Sequence, residues 1–142
     1  EAGQLVGLFP EGLRGVGKPY RERYRLTHFG RGGFVRLAQA ARVPIIPVAI
    51  VGAEETHPVV AKLTRLAKPL GLPYIPITPT FPLLGPLGLL PVPAKWSMHI
   101  GLPISHEALA GQPPLDIARQ VKDRVDQMIA DLLLARRSIV FG

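Results

Sequence analysis

The chain has no cysteine among its 142 residues, which excludes disulfides and thiolate-held metals and agrees with a reducing compartment. Aromatic residues make up only 6% of it and are not spaced as a stacking platform. No RNA- or DNA-binding motif stands in the sequence, so nucleic acid is the weakest partner for its basic charge. Acids are few: 10 Asp and Glu against 17 Lys and Arg, a formal net charge of +7. A charged leader followed by an apolar signal segment is also missing. The chain starts at Glu1 rather than Met and enters an apolar run almost at once, as expected of a piece of a longer protein. Residues 69–94 carry no formal charge and have the length of a membrane span, but they hold eight prolines and three glycines. An interior proline costs a helix about 3 kcal/mol, and the bilayer interior leaves the freed backbone groups unsatisfied. This stretch is therefore expected not to cross a membrane. It reads as an apolar loop that lines a channel, dips into a lipid interface or packs on a sheet.

The length fits one domain that buries roughly two-thirds of its unfolded surface. Prolines (16) and glycines (15) are numerous but lie among apolar residues, which argues against disorder. The charge is concentrated in the first third, where Arg14, Lys18, Arg21, Arg23, Arg25, Arg31, Arg36 and Arg42 face only Glu1, Glu11 and Glu22. Anionic lipid and a polyphosphate cofactor both suit such a patch, as does a merely solvated face.

Gln4–Leu8 reads as a buried strand that ends at Phe9-Pro10-Glu11-Gly12-Leu13-Arg14. In open α/β sheets ligands bind at the carboxyl ends of strands. An arginine there offers five donors in a flat fork suited to phosphate or carboxylate, and Glu11 can orient it; a turn carrying a surface ion pair is the plainer alternative. Gly15-Val16-Gly17-Lys18-Pro19 follows as a flexible basic loop without P-loop spacing. Phe29–Ala41 reads as a helix with an apolar stripe of Phe34, Leu37, Ala38 and Ala41. Val43–Gly52 is a nearly continuous apolar run, expected to be a central strand covered on both faces, with Pro44 at its start and Pro47 at an unpaired position. The two strands and the intervening helix form one right-handed crossover unit in this reading. Glu54 and Glu55, at the end of the second strand, suit acid–base work, a metal or, more plainly, the capping of a helix over about 58–70.

Ala94–Gly101 alternates as a third strand with Trp96, Met98 and Ile100 on one side. Ser105–Gly111 has a serine cap and a glycine stop for a short helix. A last helix runs from Pro114 to about Arg136, with Ile117, Val121, Val125, Met128 and Leu132 as its buried stripe and Arg136 and Arg137 at its negative end.

Phe9-Pro10-Glu11-Gly12-Leu13-Arg14 and, some thirty residues on, Val43-Pro44-Ile45-Ile46-Pro47-Val48 together resemble the third and fourth motifs of the glycerolipid acyltransferases, the lysophosphatidate acyltransferase family. Phe29-Gly30-Arg31-Gly32-Gly33-Phe34, Val51-Gly52-Ala53-Glu54-Glu55, Leu84–Pro91 and Lys95-Trp96 resemble the branch compared with mono- and diacylglycerol acyltransferases. The likeness covers roughly residues 4–104; residues 105–142 would be carboxyl-terminal helices of the same domain. It implies an α/β layered domain with a central mixed, mostly parallel sheet flanked by helices and lacking its amino-terminal elements. It also implies transfer of a fatty acyl group from acyl-CoA or acyl carrier protein to a lipid alcohol or lysophospholipid. The setting implied is the cytoplasmic side of a membrane, with no metal or cofactor beyond the co-substrate. By the same resemblance Arg14 is the phosphate fork, Glu11 orients it, Gly12 lets the chain approach, and Pro44 and Pro47 shape the site wall. Lys18 and Arg31 are added as contacts to acidic groups of acceptor or CoA. Leu13 stands where phosphate-binding members usually carry Thr, which admits a less polar acceptor such as diacylglycerol.

The family's base is a histidine with an aspartate five positions later. Five residues after His28, His57, His99 and His106 stand Gly33, Lys62, Ile104 and Gly111, so the pair is absent from this sequence. The alternative function is a non-catalytic lipid- or CoA-binding module, or a peripheral membrane-interaction domain. The isolated chain is expected to transfer no acyl group from a thioester to any lipid alcohol. Turnover matching that of the full-length parent, measured by thiol release, would refute this.

Overall fold

The computed structural model describes residues 3–12, 15, 18–26, 29, 32–71 and 74–139. Helices α1 (Gly33–Ala41), α2 (Ala53–Thr56), α3 (Thr64–Ala67), α4 (His106–Leu109) and α5 (Pro114–Ala135) are interleaved with strands β1 (Val48–Val51), β2 (Ala61–Leu63), β3 (Ile75–Ile77) and β4 (Ser97–Ile100). Short 3-10 turns lie at Tyr20–Glu22, Lys68–Leu70 and Gly85–Leu89.

The fold is mixed α/β, but its sheets are two separate antiparallel pairs, and the expected central parallel sheet is not formed among the described residues. β1 pairs with β4 in the register Val48↔Ile100 to Val51↔Ser97, and an isolated bridge, Ile45↔Ile104, prolongs the ribbon. β2 pairs with β3 from Ala61↔Ile77 to Leu63↔Ile75. Gln4–Leu8 makes no ladder: Leu5 is 93% exposed and Phe9 83%. The crossover unit built on that strand is absent with it. A parallel neighbour has to be delivered by a crossover connection. With Gln4–Leu8 undocked, β1 takes its partner instead from the chain returning after residue 96.

The core is built by α5. Proline opens the helix where its missing N–H costs nothing, and Ile117, Ala118, Val121, Val125, Met128 and Ile129 recur on one buried face. They pack on Ala49 and Val51 of β1, Val35 and Ala38 of α1, and Leu109 of α4. The stripe read from the sequence is thus in place, with Leu132 packed at its edge. Gln39 fastens α1 to the end of α4, its Nε2 donating to the carbonyls of Leu109 at 2.7 Å and Gln112 at 3.1 Å. Ser105 caps α4 as expected, accepting from the Ala108 N–H.

Other expectations shift. Helix α1 turns Val35 and Ala38 inward with Phe34 half-buried, while Leu37 and Ala41 face solvent. Its stripe is rotated because the core lies on the α5 side. β1 is covered on one face only: Ala49 and Val51 are buried, Val48 and Ile50 are not. The helix expected over 58–70 is replaced by β2 and the single turn α3. Val59 and Val60 are β-branched and lie beside a strand partner, and cross-strand pairing overrides a helical pattern there. The long apolar stretch is a compact excursion containing β3 and the 85–89 turn.

Truncating Ile117, 2% exposed at the centre of this core, is expected to lower unfolding free energy by about 2–5 kcal/mol. Leu134→Ala, at an exposed position of the same helix, should change it by no more than about 0.5 kcal/mol. Urea midpoints of the two variants check both values.

Candidate functional site

The Phe9–Gly12 turn is closed by the Gly12 N–H donating to the Phe9 carbonyl at 2.9 Å, and Gly12 has φ +56°, a left-handed conformation that suits glycine. Leu13, Arg14 and Arg31 lie outside the described residues. Glu11 and Lys18 are brought together: Lys18 Nζ lies 2.6 Å from Glu11 Oε2. The same ammonium donates to the Arg25 carbonyl at 2.7 Å and stands 3.8 Å from Glu54 Oε1. Its side chain is almost wholly buried. Lys18 thus spends its donors inside the protein, joining the motif turn to the acids after β1.

Those acids lie in the first turn of α2, and each is held by groups from elsewhere in the chain. Glu54 accepts the Tyr24 N–H at 2.6 Å. Glu55, buried in the single turn α2, accepts the Tyr24 hydroxyl and forms an ion pair with Arg136, whose Nη1 lies 2.6 Å from Oε2. Arg23 approaches Glu55 Oε1 at 4.0 Å while its guanidinium rests on the Tyr20 ring, 4.2 Å from the centroid. Arg136 does more than offset the end of α5. Its remaining donors reach the Tyr24 hydroxyl (3.1 Å) and the carbonyls of Lys95 (2.8 Å), Ser138 (3.0 Å) and Ile139 (2.8 Å). A guanidinium is suited to this because its five donors point in fixed directions. Buried charges persist only where partners satisfy them in this way.

The acids reach this position because of Gly52. It has φ +109°, and a Cβ there would lie 2.2 Å from the Lys95 carbonyl oxygen. The chain can thus turn sharply between β1 and α2 while the two strands remain in contact. Pro47, buried beside the start of β1, presents its carbonyl to the Gly101 N–H at 2.8 Å. Pro44, by contrast, is exposed and stands outside the ladder. The two prolines flank the ribbon.

Beside the ion cluster lies an open, apolar cavity of about 480 Å³, walled by Tyr20, Val60, Pro79, Val92 and Pro93, with Glu55 at its edge. Three of these wall residues, Pro79, Val92 and Pro93, belong to the uncharged stretch. The size falls in the usual range for small-molecule sites.

Sequence reasoning did not find Tyr24 or the role of Arg136. Their partners lie 31 residues from Tyr24 and on the far side of the fold. One signal was present: the positions three and four before Arg136 are Leu133 and Leu132, so the arginine has no carboxylate within reach on its own helix.

Burial, then the hydrogen bond and charge of Glu55, push the Tyr24 hydroxyl up to about 12, against the opposing pull of Arg136. Burial works against the Arg136 charge, yet Glu55 outweighs it and holds the guanidinium above its usual range. For Tyr24 the folded value exceeds the unfolded one, so the native state holds this proton more tightly. Its stabilising contribution is complete below about pH 10 and is lost as pH rises toward about 12. The stability difference between the parent chain and Tyr24→Phe is expected to shrink across that window; a difference constant from pH 8 to 12 in urea titrations would contradict the assignment.

The profile of the Acyltransferase family matches residues 1–51, the part that holds the Phe9–Arg14 and Val43–Val48 motifs. Uncharacterized proteins of Mycobacterium bovis and Mycobacterium tuberculosis are each 44% identical over 147 residues, covering 99% of this chain and 41% of their own length. One of Mycobacterium leprae is 44% identical as well, with 40% of its length covered. The chain therefore spans about two-fifths of the relatives it matches. No solved structure matches it. Residues 1–51 are thus similar to the Acyltransferase family.

Proposed function

We propose that this chain is the acceptor-binding part of a membrane-associated acyltransferase that moves a fatty acyl group from acyl-CoA or acyl carrier protein to a (lyso)glycerolipid or another lipid alcohol. The alcohol oxygen attacks the thioester carbonyl, the C–S bond breaks, and the thiolate leaves. The proton of the alcohol passes to a histidine base that this sequence does not contain. What these residues contribute is binding and orientation.

The observation that carries the reading is the clamp on the motif turn. Glu11 is held by Lys18 at 2.6 Å, and Lys18 is itself drawn toward Glu54. The turn leading into Arg14 is thereby anchored to the end of β1. An anchored turn loses less freedom when it binds an anion, which favours affinity. In this reading Arg14 forms the fork for a phosphate or other acidic group, Glu11 and Lys18 position it, Gly12 permits the approach, and Arg31 is a second cation for acceptor or donor. Pro44 and Pro47 stiffen the wall around β1. The adjoining apolar cavity offers a place for the non-polar part of a substrate.

Absence of the His-x4-Asp pair favours a second reading, a non-catalytic lipid- or CoA-binding module. Translation of the upstream reading frame decides between them, since only an acyltransferase requires the pair there. In the full-length protein Arg14→Ala is expected to raise KM for acceptor or donor by about 10- to 100-fold, the size of a lost charge-assisted hydrogen bond. Unchanged KM values for both substrates, with the fold intact by circular dichroism, would remove Arg14 from the site.

A further inference from the structure

We infer that the unit from β2 to the turn at residues 81–90 is a membrane-docking surface whose partner is an anionic bilayer. Between Glu55 and Glu107 the sequence holds no acid at all, whereas it holds Lys62, Arg65, Lys68 and Lys95. All four of these basic residues are exposed. From the turn that follows β3, Leu83 (86% exposed), Leu84 (58%), Leu87 (69%) and Leu90 (62%) stand in solvent. Apolar side chains this exposed and this close in sequence mark an interaction surface.

The turn is built to present them. Thr78 and Thr80 both donate their hydroxyls to the Gly88 carbonyl, at 3.1 and 2.9 Å. The Leu84 N–H donates to the Thr80 carbonyl at 2.8 Å, and the Leu90 N–H to the Leu87 carbonyl at 3.1 Å. Gly88 is buried so tightly that a Cβ would lie 2.4 Å from the Thr80 oxygen. These backbone groups are thus paired internally while the leucines remain outside, as entry into an interface requires.

Three of the basic residues, Lys62, Arg65 and Lys68, belong to the same unit. β2 carries Lys62, whose ammonium lies 4.6 Å from the centroid of the Tyr74 ring, and continues directly into α3 and Lys68. β3, paired with β2, leads into the leucine turn. Leucines with cations and no acid suit anionic headgroups over acyl chains. Among the described residues no helix is long and apolar enough to cross a membrane, so attachment here would be interfacial.

The inference deepens the lipid-acceptor reading and rests on it for its purpose, but vesicle binding is measured without turnover. A failure here leaves the KM of Arg14→Ala untouched, and the reverse also holds. The test is sedimentation with phosphatidylcholine vesicles, with and without one-third phosphatidylglycerol, using this chain and the full-length protein. Binding to the anionic vesicles is expected to weaken with salt, and to fall at least tenfold in Leu83→Asp/Leu87→Asp and in Arg65→Glu/Lys68→Glu. Ile100→Asp, on the other exposed apolar face, should leave it within twofold; urea midpoints verify that each variant folds. Equal loss in Ile100→Asp would mean general apolar adhesion and overturn the proposal. So would no preference for anionic vesicles, or an effect of the leucine variant confined to the short chain, which would mean that the longer protein covers the turn. Self-association abolished by Leu83→Asp/Leu87→Asp without vesicle binding would assign the surface to a second copy instead.

Discussion

The ion pair between Glu55 and Arg136 is the constraint on which the arrangement of this domain depends. Neither charge is exposed to water, so each requires the other, and their meeting fixes the end of α5 against the turn after β1. Tyr24 joins both partners through its hydroxyl and passes its backbone N–H to Glu54. Glu54 in turn lies near Lys18, and Lys18 holds Glu11. A line of charge and hydrogen bonds therefore runs from the last helix to the motif turn. Removing one member of such a buried pair leaves the other charged and unsatisfied, which typically costs more than the pair contributes net.

The hydrophobic framework and this charged line have different tasks. The framework is a long helix laid on a two-stranded ribbon, with α1 and α4 along its side. It fixes where β1 ends, and Gly52 makes the sharp exit that brings two acids back over that end. The charged line then ties a loop rich in arginine and lysine to a scaffold that would otherwise have little hold on it. Basic loops repel themselves; here two carboxylates and a tyrosine hold Lys18, Arg23 and Tyr24 in place. The proposed acceptor site depends on that restraint more than on any single contact.

Much of this was legible where local rules suffice. The 3.6-residue recurrence of Ile117, Val121, Val125 and Met128 predicts the buried face of α5, and Ser105 predicts the start of α4. The Trp96–Ile100 alternation predicts β4. Local rules fail where a partner elsewhere decides. The apolar run Gln4–Leu8 shows a preference for burial but not what would cover it, and among the described residues no strand pairs with it. Residues 58–70 contain helical spacing, yet pairing with Ile75–Ile77 makes part of them a strand. Glu54 and Glu55 resemble a capping pair because their neighbours in sequence allow it; their actual partners come from residues 18–24 and 136. Of the proposed site, Glu11 and Lys18 do meet, whereas Arg14 and Arg31 lie outside the described residues.

The separation between Tyr24 and Arg136 also bears on the order in which the molecule forms. The two residues are 112 positions apart in the chain, and contacts of such range are late and slow to form. During synthesis the basic loop emerges well before its anchor, since 112 positions separate Tyr24 from Arg136. Until α5 is complete, Glu55 has no Arg136 to face, and the loop that leads out of the motif has no fixed course. The motif turn is therefore encoded before its anchor and set after it, so a nascent chain halted before α5 ends would display the turn without the contacts that hold it.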